Sequence, residues 1–103
     1  MATLSTHVLD TARGRPAAGM RVELSASGGA AVADGVTDAD GRVAALGGVL
    51  EEGAYALRFD TGGYLGAEAF YPEVVVTFAV GTDDHYHVPL LLSPFGYSTY
   101  RGS

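Results

Sequence analysis

Apolar residues recur at every second position through most of this chain, and nowhere does it sustain the spacing of a long helix. In MRVELSAS, Met20, Val22, Leu24 and Ala26 share one face, while Arg21, Glu23 and Ser25 share the other. YALRF sets Tyr55, Leu57 and Phe59 against Ala56 and Arg58, and LSTHVLD sets Leu4, Thr6 and Val8 against Ser5, His7 and Leu9. HYHVPLLLS divides Tyr86, Val88, Leu90 and Leu92 from His85, His87, Pro89 and Leu91. VVVTFAV, residues 74–80, is apolar on both sides and predicts a strand covered on both faces. Between these runs stand turn signals: RGRP, SGG, DADG, LGG, GTDD and SPFG. Short strands punctuated in this way predict an all-β, two-sheet antiparallel sandwich. One helix of one or two turns is expected, in YLGAEAF, residues 64–70.

A chain of 103 residues predicts one domain, residues 1–103, with no second core. With 48% hydrophobic and 17% charged residues it is no candidate for disorder, and it predicts an uncharged surface suited to self-association. The net charge of −6 argues against a nucleic-acid partner, which calls for a basic face. There is no cysteine, hence neither disulfide nor thiolate chemistry. Residues 1–9 lack a basic segment followed by a long apolar run, and no stretch reaches membrane-spanning length. A cytoplasmic protein without a membrane partner is expected.

The residues with chemical potential are few. His85 and His87 lie two apart on a strand and so emerge together, on the face opposite Val88, Leu90 and Leu92. His7 also lies off the core face. All three suit a plain solvated surface; two imidazoles at this spacing could also share a metal, but further ligands are scarce. Asp83 and Asp84 fit a turn that caps the strand. Asp38 and Asp40 before Gly41 resemble the start of a calcium loop, but RVAALGG follows in place of the bidentate glutamate. A tight Asp40-Gly41 turn with Arg42 opening the next strand is expected instead. Pro89, with no N–H to give, requires a gap or bulge beside the histidines.

Four pieces in order, LSTHVLDTARGRPAAGM, TDADGR, FYPEV and HYHVPLLLSPFGYSTYRGS, closely resemble the transthyretin-like 5-hydroxyisourate hydrolases. The resemblance spans nearly the whole chain, and the terminal Tyr-Arg-Gly-Ser is its most discriminating mark, since transthyretin itself lacks it. It implies a transthyretin-like (prealbumin-like) sandwich and a homotetramer, a dimer of dimers with active sites in a central channel. The implied reaction is hydrolysis of 5-hydroxyisourate to 2-oxo-4-hydroxy-4-carboxy-5-ureidoimidazoline in urate degradation, without metal or other cofactor. By motif position the implied catalytic residues are His7, Arg42, His87 and Ser103, with His7, Arg42 and Tyr100 binding substrate. His7 and His87 would jointly activate water, Arg42 would stabilise developing negative charge, and His85 would play a supporting part. The alternatives are a transthyretin-type carrier, which would lack the His/Arg set and the tetrapeptide, and a structural sandwich domain of a surface protein. The segment between Asp60 and Tyr71 is shorter than usual for the family, which bears on its helix.

Overall fold

A computed structural model describes residues 2–103. Nine strands alternate with short turns: β1 (Thr3–Asp10), β2 (Arg15–Pro16), β3 (Arg21–Ala26), β4 (Ala31–Val36), β5 (Arg42–Val43), β6 (Gly53–Phe59), β7 (Val74–Val80), β8 (His85–Ser93) and β9 (Gly96–Thr99). A short helix, α1 (Thr61–Leu65), runs into a 3₁₀ turn at Gly66–Glu68. The strands form two sheets, β2-β1-β8-β9 with β5 also on β1, and β4-β3-β6-β7. Every ladder is antiparallel except β1–β8, which runs parallel.

The period-two pattern becomes the sandwich interior. Leu4, Val8, Leu90 and Leu92 from one sheet meet Val22, Leu24, Leu57 and Phe59 from the other, all essentially inaccessible. Tyr86 and Val88 are buried on the same inner face of β8, which turns His85 and His87 outward. The buried Asp10 carboxylate, at the end of β1, accepts from the Tyr64 hydroxyl at 2.8 Å and the Arg13 amide at 3.0 Å, so α1 is tied to the same sheet.

Two expectations need correction. Strand β7 is not covered on both faces: Val75, Thr77 and Ala79 are exposed, because β7 is the outer strand of its sheet and no described residue of the protomer covers its second face. The helix begins at Thr61 rather than residue 64, since Asp60 caps it by accepting from the Gly63 amide at 3.1 Å. The glycine pair after that cap resembles a turn in sequence, yet Gly62 and Gly63 lie within the helix.

Candidate active site

The parallel register of β1 on β8 pairs Thr3 with His85, Ser5 with His87 and His7 with Pro89. With Leu4, Thr6 and Val8 facing inward, Thr3, Ser5 and His7 must stand on the outer surface beside the two histidines of β8. The side chains then join. Thr3 Oγ1 lies 2.7 Å from His85 Nδ1, Ser5 Oγ lies 3.0 Å from His85 Nε2, and Ser5 Oγ lies 2.7 Å from His87 Nδ1. His85 is exposed and His87 half-buried. Because Ser5 occupies Nδ1 of His87, its Nε2 is the nitrogen left for other chemistry.

Arg42 reaches this surface through the TDADGR turn. Asp38 Oδ1 accepts from the amides of Asp40 at 2.9 Å and Arg42 at 3.0 Å, closing the turn on itself. Gly41 adopts φ +76°, and its carbonyl accepts from the Val8 amide at 2.7 Å. A Cβ at this position would lie 2.4 Å from the Val8 carbonyl oxygen, so only glycine lets the turn dock so closely on β1. Buried Thr37 anchors the turn from below, donating to the Ala17 carbonyl at 2.6 Å and accepting from the Met20 amide at 2.9 Å. Strand β5 then pairs Val43 with Thr6 and Arg42 with His7. Val43 packs on the core, and Arg42 therefore shares the outer face with His7.

The tail reaches the site past Pro89. The β8–β9 ladder stops at Leu90–Thr99 and resumes only at an isolated His87–Gly102 bridge, leaving a gap opposite the proline. Across it, Thr99 Oγ1 donates to the Pro89 carbonyl at 2.7 Å, and the Gly102 amide donates to the His87 carbonyl at 2.8 Å. Gly102 lies so near the imidazole that an added Cβ would fall 2.4 Å from His87 Cδ2. Arg101 is held as well: its guanidinium stacks 4.5 Å from the Tyr86 ring centroid and pairs with Asp83 at 3.0 Å. Asp83 thus receives the tail's cation. Tyr100, exposed in the protomer, borders a groove with Val76, Phe78, Tyr86 and Val88. Ser103 is exposed and follows directly on Gly102.

His7, Arg42 and His87 therefore meet on one face, with Gly102 bringing the tail alongside; Tyr100 lines the edge groove instead. The electrostatics reflect this meeting. Partial burial, then the Arg42 guanidinium, then the His7 and His85 imidazoles hold the His87 pKa below the ordinary imidazole value, partly offset by the hydrogen bond that the ring donates to the Ser5 backbone. In the tautomer with its proton on Nδ1, a neutral His87 leaves Nε2 free to take a proton from water, beside a second imidazole and a permanent cation, while negative charge builds nearby. Among the described residues, no group of three metal-ligating side chains forms. Ser5 and Gly102 carry no chemical label in the sequence, and only strand register discloses their part.

The fold and this surface define an all-β sandwich that gathers His7, Arg42 and His87 on the outer face of one of its two sheets. The HIUase/Transthyretin family profile matches residues 4–102, and the chain belongs to that family. A 5-hydroxyisourate hydrolase of Caulobacter vibrioides is 46% identical, with all of both chains covered. The solved Klebsiella pneumoniae 5-hydroxyisourate hydrolase superposes with a TM-score of 0.93 at 43% identity, covering 100% of each chain. Sea bream transthyretin, solved in complex with thyroxine, superposes at 0.86 with 32% identity, covering 98% of this chain and 95% of the other.

Proposed function

We propose that this protein hydrolyses 5-hydroxyisourate to 2-oxo-4-hydroxy-4-carboxy-5-ureidoimidazoline, with residues 1–103 acting as one domain. The observation that carries the reading is the meeting of His7, Arg42 and His87 on one sheet face, with Arg42 directly opposite His7 in register. The full-length likeness to named 5-hydroxyisourate hydrolases supplies the substrate.

In the proposed reaction His87 Nε2 accepts a proton from water as its oxygen attacks a ring carbonyl. A C–O bond forms, the ring C–N bond breaks, and the departing nitrogen takes a proton. The new carboxyl group ionises, releasing one proton per turnover. General-base help of this kind is worth about 10² to 10⁴ in rate. Arg42 steadies the oxyanion and His7 shares in proton transfer, while Ser103 orients water. No cofactor takes part.

We further propose a homotetramer with the site in a channel between protomers. Strands β7 and β9 end their sheets with unpaired edges among the described residues, and Val75, Phe95 and Tyr97 expose apolar surface close to those edges. The site itself is an open face in the protomer, with Arg42 and His85 exposed. Neighbouring copies would supply its walls.

The test is decay of freshly generated 5-hydroxyisourate, followed by its ultraviolet absorbance. A hydrolase accelerates the decay over buffer. A thyroxine carrier of the sea bream type leaves it at the buffer rate, and that result would end the proposal.

A further inference from the structure

Thr3, His85, Ser5 and His87 form one unbroken line of hydrogen bonds, at 2.7, 3.0 and 2.7 Å, from an exposed imidazole to a half-buried one. Ser5 has a single hydroxyl proton. Bridging two imidazole nitrogens, it must donate to one and accept from the other. When His87 carries its proton on Nδ1, that N–H donates to Ser5, Ser5 donates to His85 Nε2, and His85 Nδ1–H donates to Thr3. This polarity leaves His87 Nε2 bare, the form needed for attack on water.

From this geometry we propose that Ser5 is a two-way proton relay, through which His85 holds the proton that His87 takes from water. The proposal rests on the hydrolytic reading of the site. Water's proton bonds to His87 Nε2. The Nδ1 proton passes to Ser5 Oγ as the Ser5 proton passes to His85 Nε2, and the positive charge now sits on His85. Reversing the two hops returns the proton to His87 Nδ1, and the imidazolium so formed delivers its Nε2 proton to the departing ring nitrogen. Each atom ends with its ordinary valence, and no outside acid or base is needed.

The reason for such a relay is the charge around His87. It faces Arg42 on β5, His7 on β1 and His85 on β8, so an imidazolium there is disfavoured while the reaction awaits its second proton transfer. His85 is exposed, and its surroundings include Asp83 as well as Arg101, whose guanidinium is paired with that carboxylate at 3.0 Å. Solvent stabilises the parked charge better at His85 than the crowded face does at His87. Ser5 and His85 act through His87 and are positioning and relay residues rather than groups that touch substrate.

Three variants and one spectroscopic titration decide it. Ser5→Ala should lower kcat by about tenfold or more, within the span of general acid–base effects, with KM changed by less than about twofold. Ser5→Thr keeps the hydroxyl and should recover most of the rate. His85→Gln can hydrogen-bond Ser5 but cannot hold a proton, so it should match Ser5→Ala, and combining the two should lose no more than either alone. Independently of turnover, nitrogen-15 spectra of the wild-type imidazoles should show His85 and His87 titrating as a coupled pair, uncoupled in Ser5→Ala. Full rate in Ser5→Ala or His85→Gln, or independent titration in the wild type, overturns the relay. A wild type that leaves the substrate decay unchanged defeats the hydrolytic reading instead, and the titration still decides whether the two imidazoles share a proton.

Discussion

Gly102 presses its α-carbon against the His87 imidazole while its amide donates to the His87 carbonyl at 2.8 Å. Both contacts depend on the absence of a side chain, because an added Cβ would stand 2.4 Å from Cδ2 of the ring. Gly102→Ala should therefore turn the imidazole or lift the tail, and either change misplaces Nε2. The expected result is a fall in kcat of about tenfold or more with thermal stability nearly unchanged. Steady-state kinetics beside a melting curve check it, and unaltered kcat would mean the tail does not position His87.

The same substitution at Gly41 should read differently. There a methyl would meet the Val8 carbonyl oxygen at 2.4 Å, on a backbone already at φ +76°. The left-handed conformation alone costs an alanine about 1–2 kcal/mol. A Tm lowered by about 4–16 °C is expected for a chain of this size. Activity should fall as well, since the turn that sets Arg42 opposite His7 would be displaced from β1. Calorimetry and the rate assay on one sample separate the two effects.

The pH dependence follows from the lowered pKa of His87, caused first by burial and then by Arg42, His7 and His85. The folded protein resists protonation here more than the unfolded chain, whose histidine titrates near ~6.5. This contribution to stability is therefore complete above about pH 6.5, and is lost as pH falls from there through the folded-state pKa. Turnover should follow the neutral form, staying level through pH 7 and dropping only below the ordinary imidazole range. Replacing His87 by glutamine should remove that part of the stability profile; an unchanged acid limb would assign the transition to another group.

Assembly can be probed at Val75, about half exposed on the outer strand β7. Val75→Lys places a charge on the apolar edge and should shift the proposed tetramer toward smaller species, seen by sedimentation velocity. A tetramer that persists in this variant would place the contact elsewhere.

Much of the architecture could be read from alternation alone, because burying one face of a strand imposes a period of two on its apolar residues. Met20, Val22 and Leu24, and again Tyr55, Leu57 and Phe59, announce their inner face directly. Strand β7 misleads for a physical reason: apolar residues on its second face look the same whether a neighbouring layer or another molecule is to cover them. The helix start was hidden because Asp60 works as a cap only when Gly63 turns back to it. At the candidate site, residue types were legible but neighbours were not. That Ser5 bridges His85 and His87 follows from the parallel β1–β8 register, between segments about eighty residues apart, which alternation does not specify.

The most direct measurement is the rate of loss of freshly generated 5-hydroxyisourate with the wild type and with His87→Ala, His7→Ala and Arg42→Ala, each checked for unchanged assembly. Rapid loss with the wild type, reduced by about 10² or more in His87→Ala and clearly impaired in the other two, is the predicted outcome. Wild-type decay no faster than buffer, or full activity in His87→Ala, would contradict a hydrolytic site on this sheet.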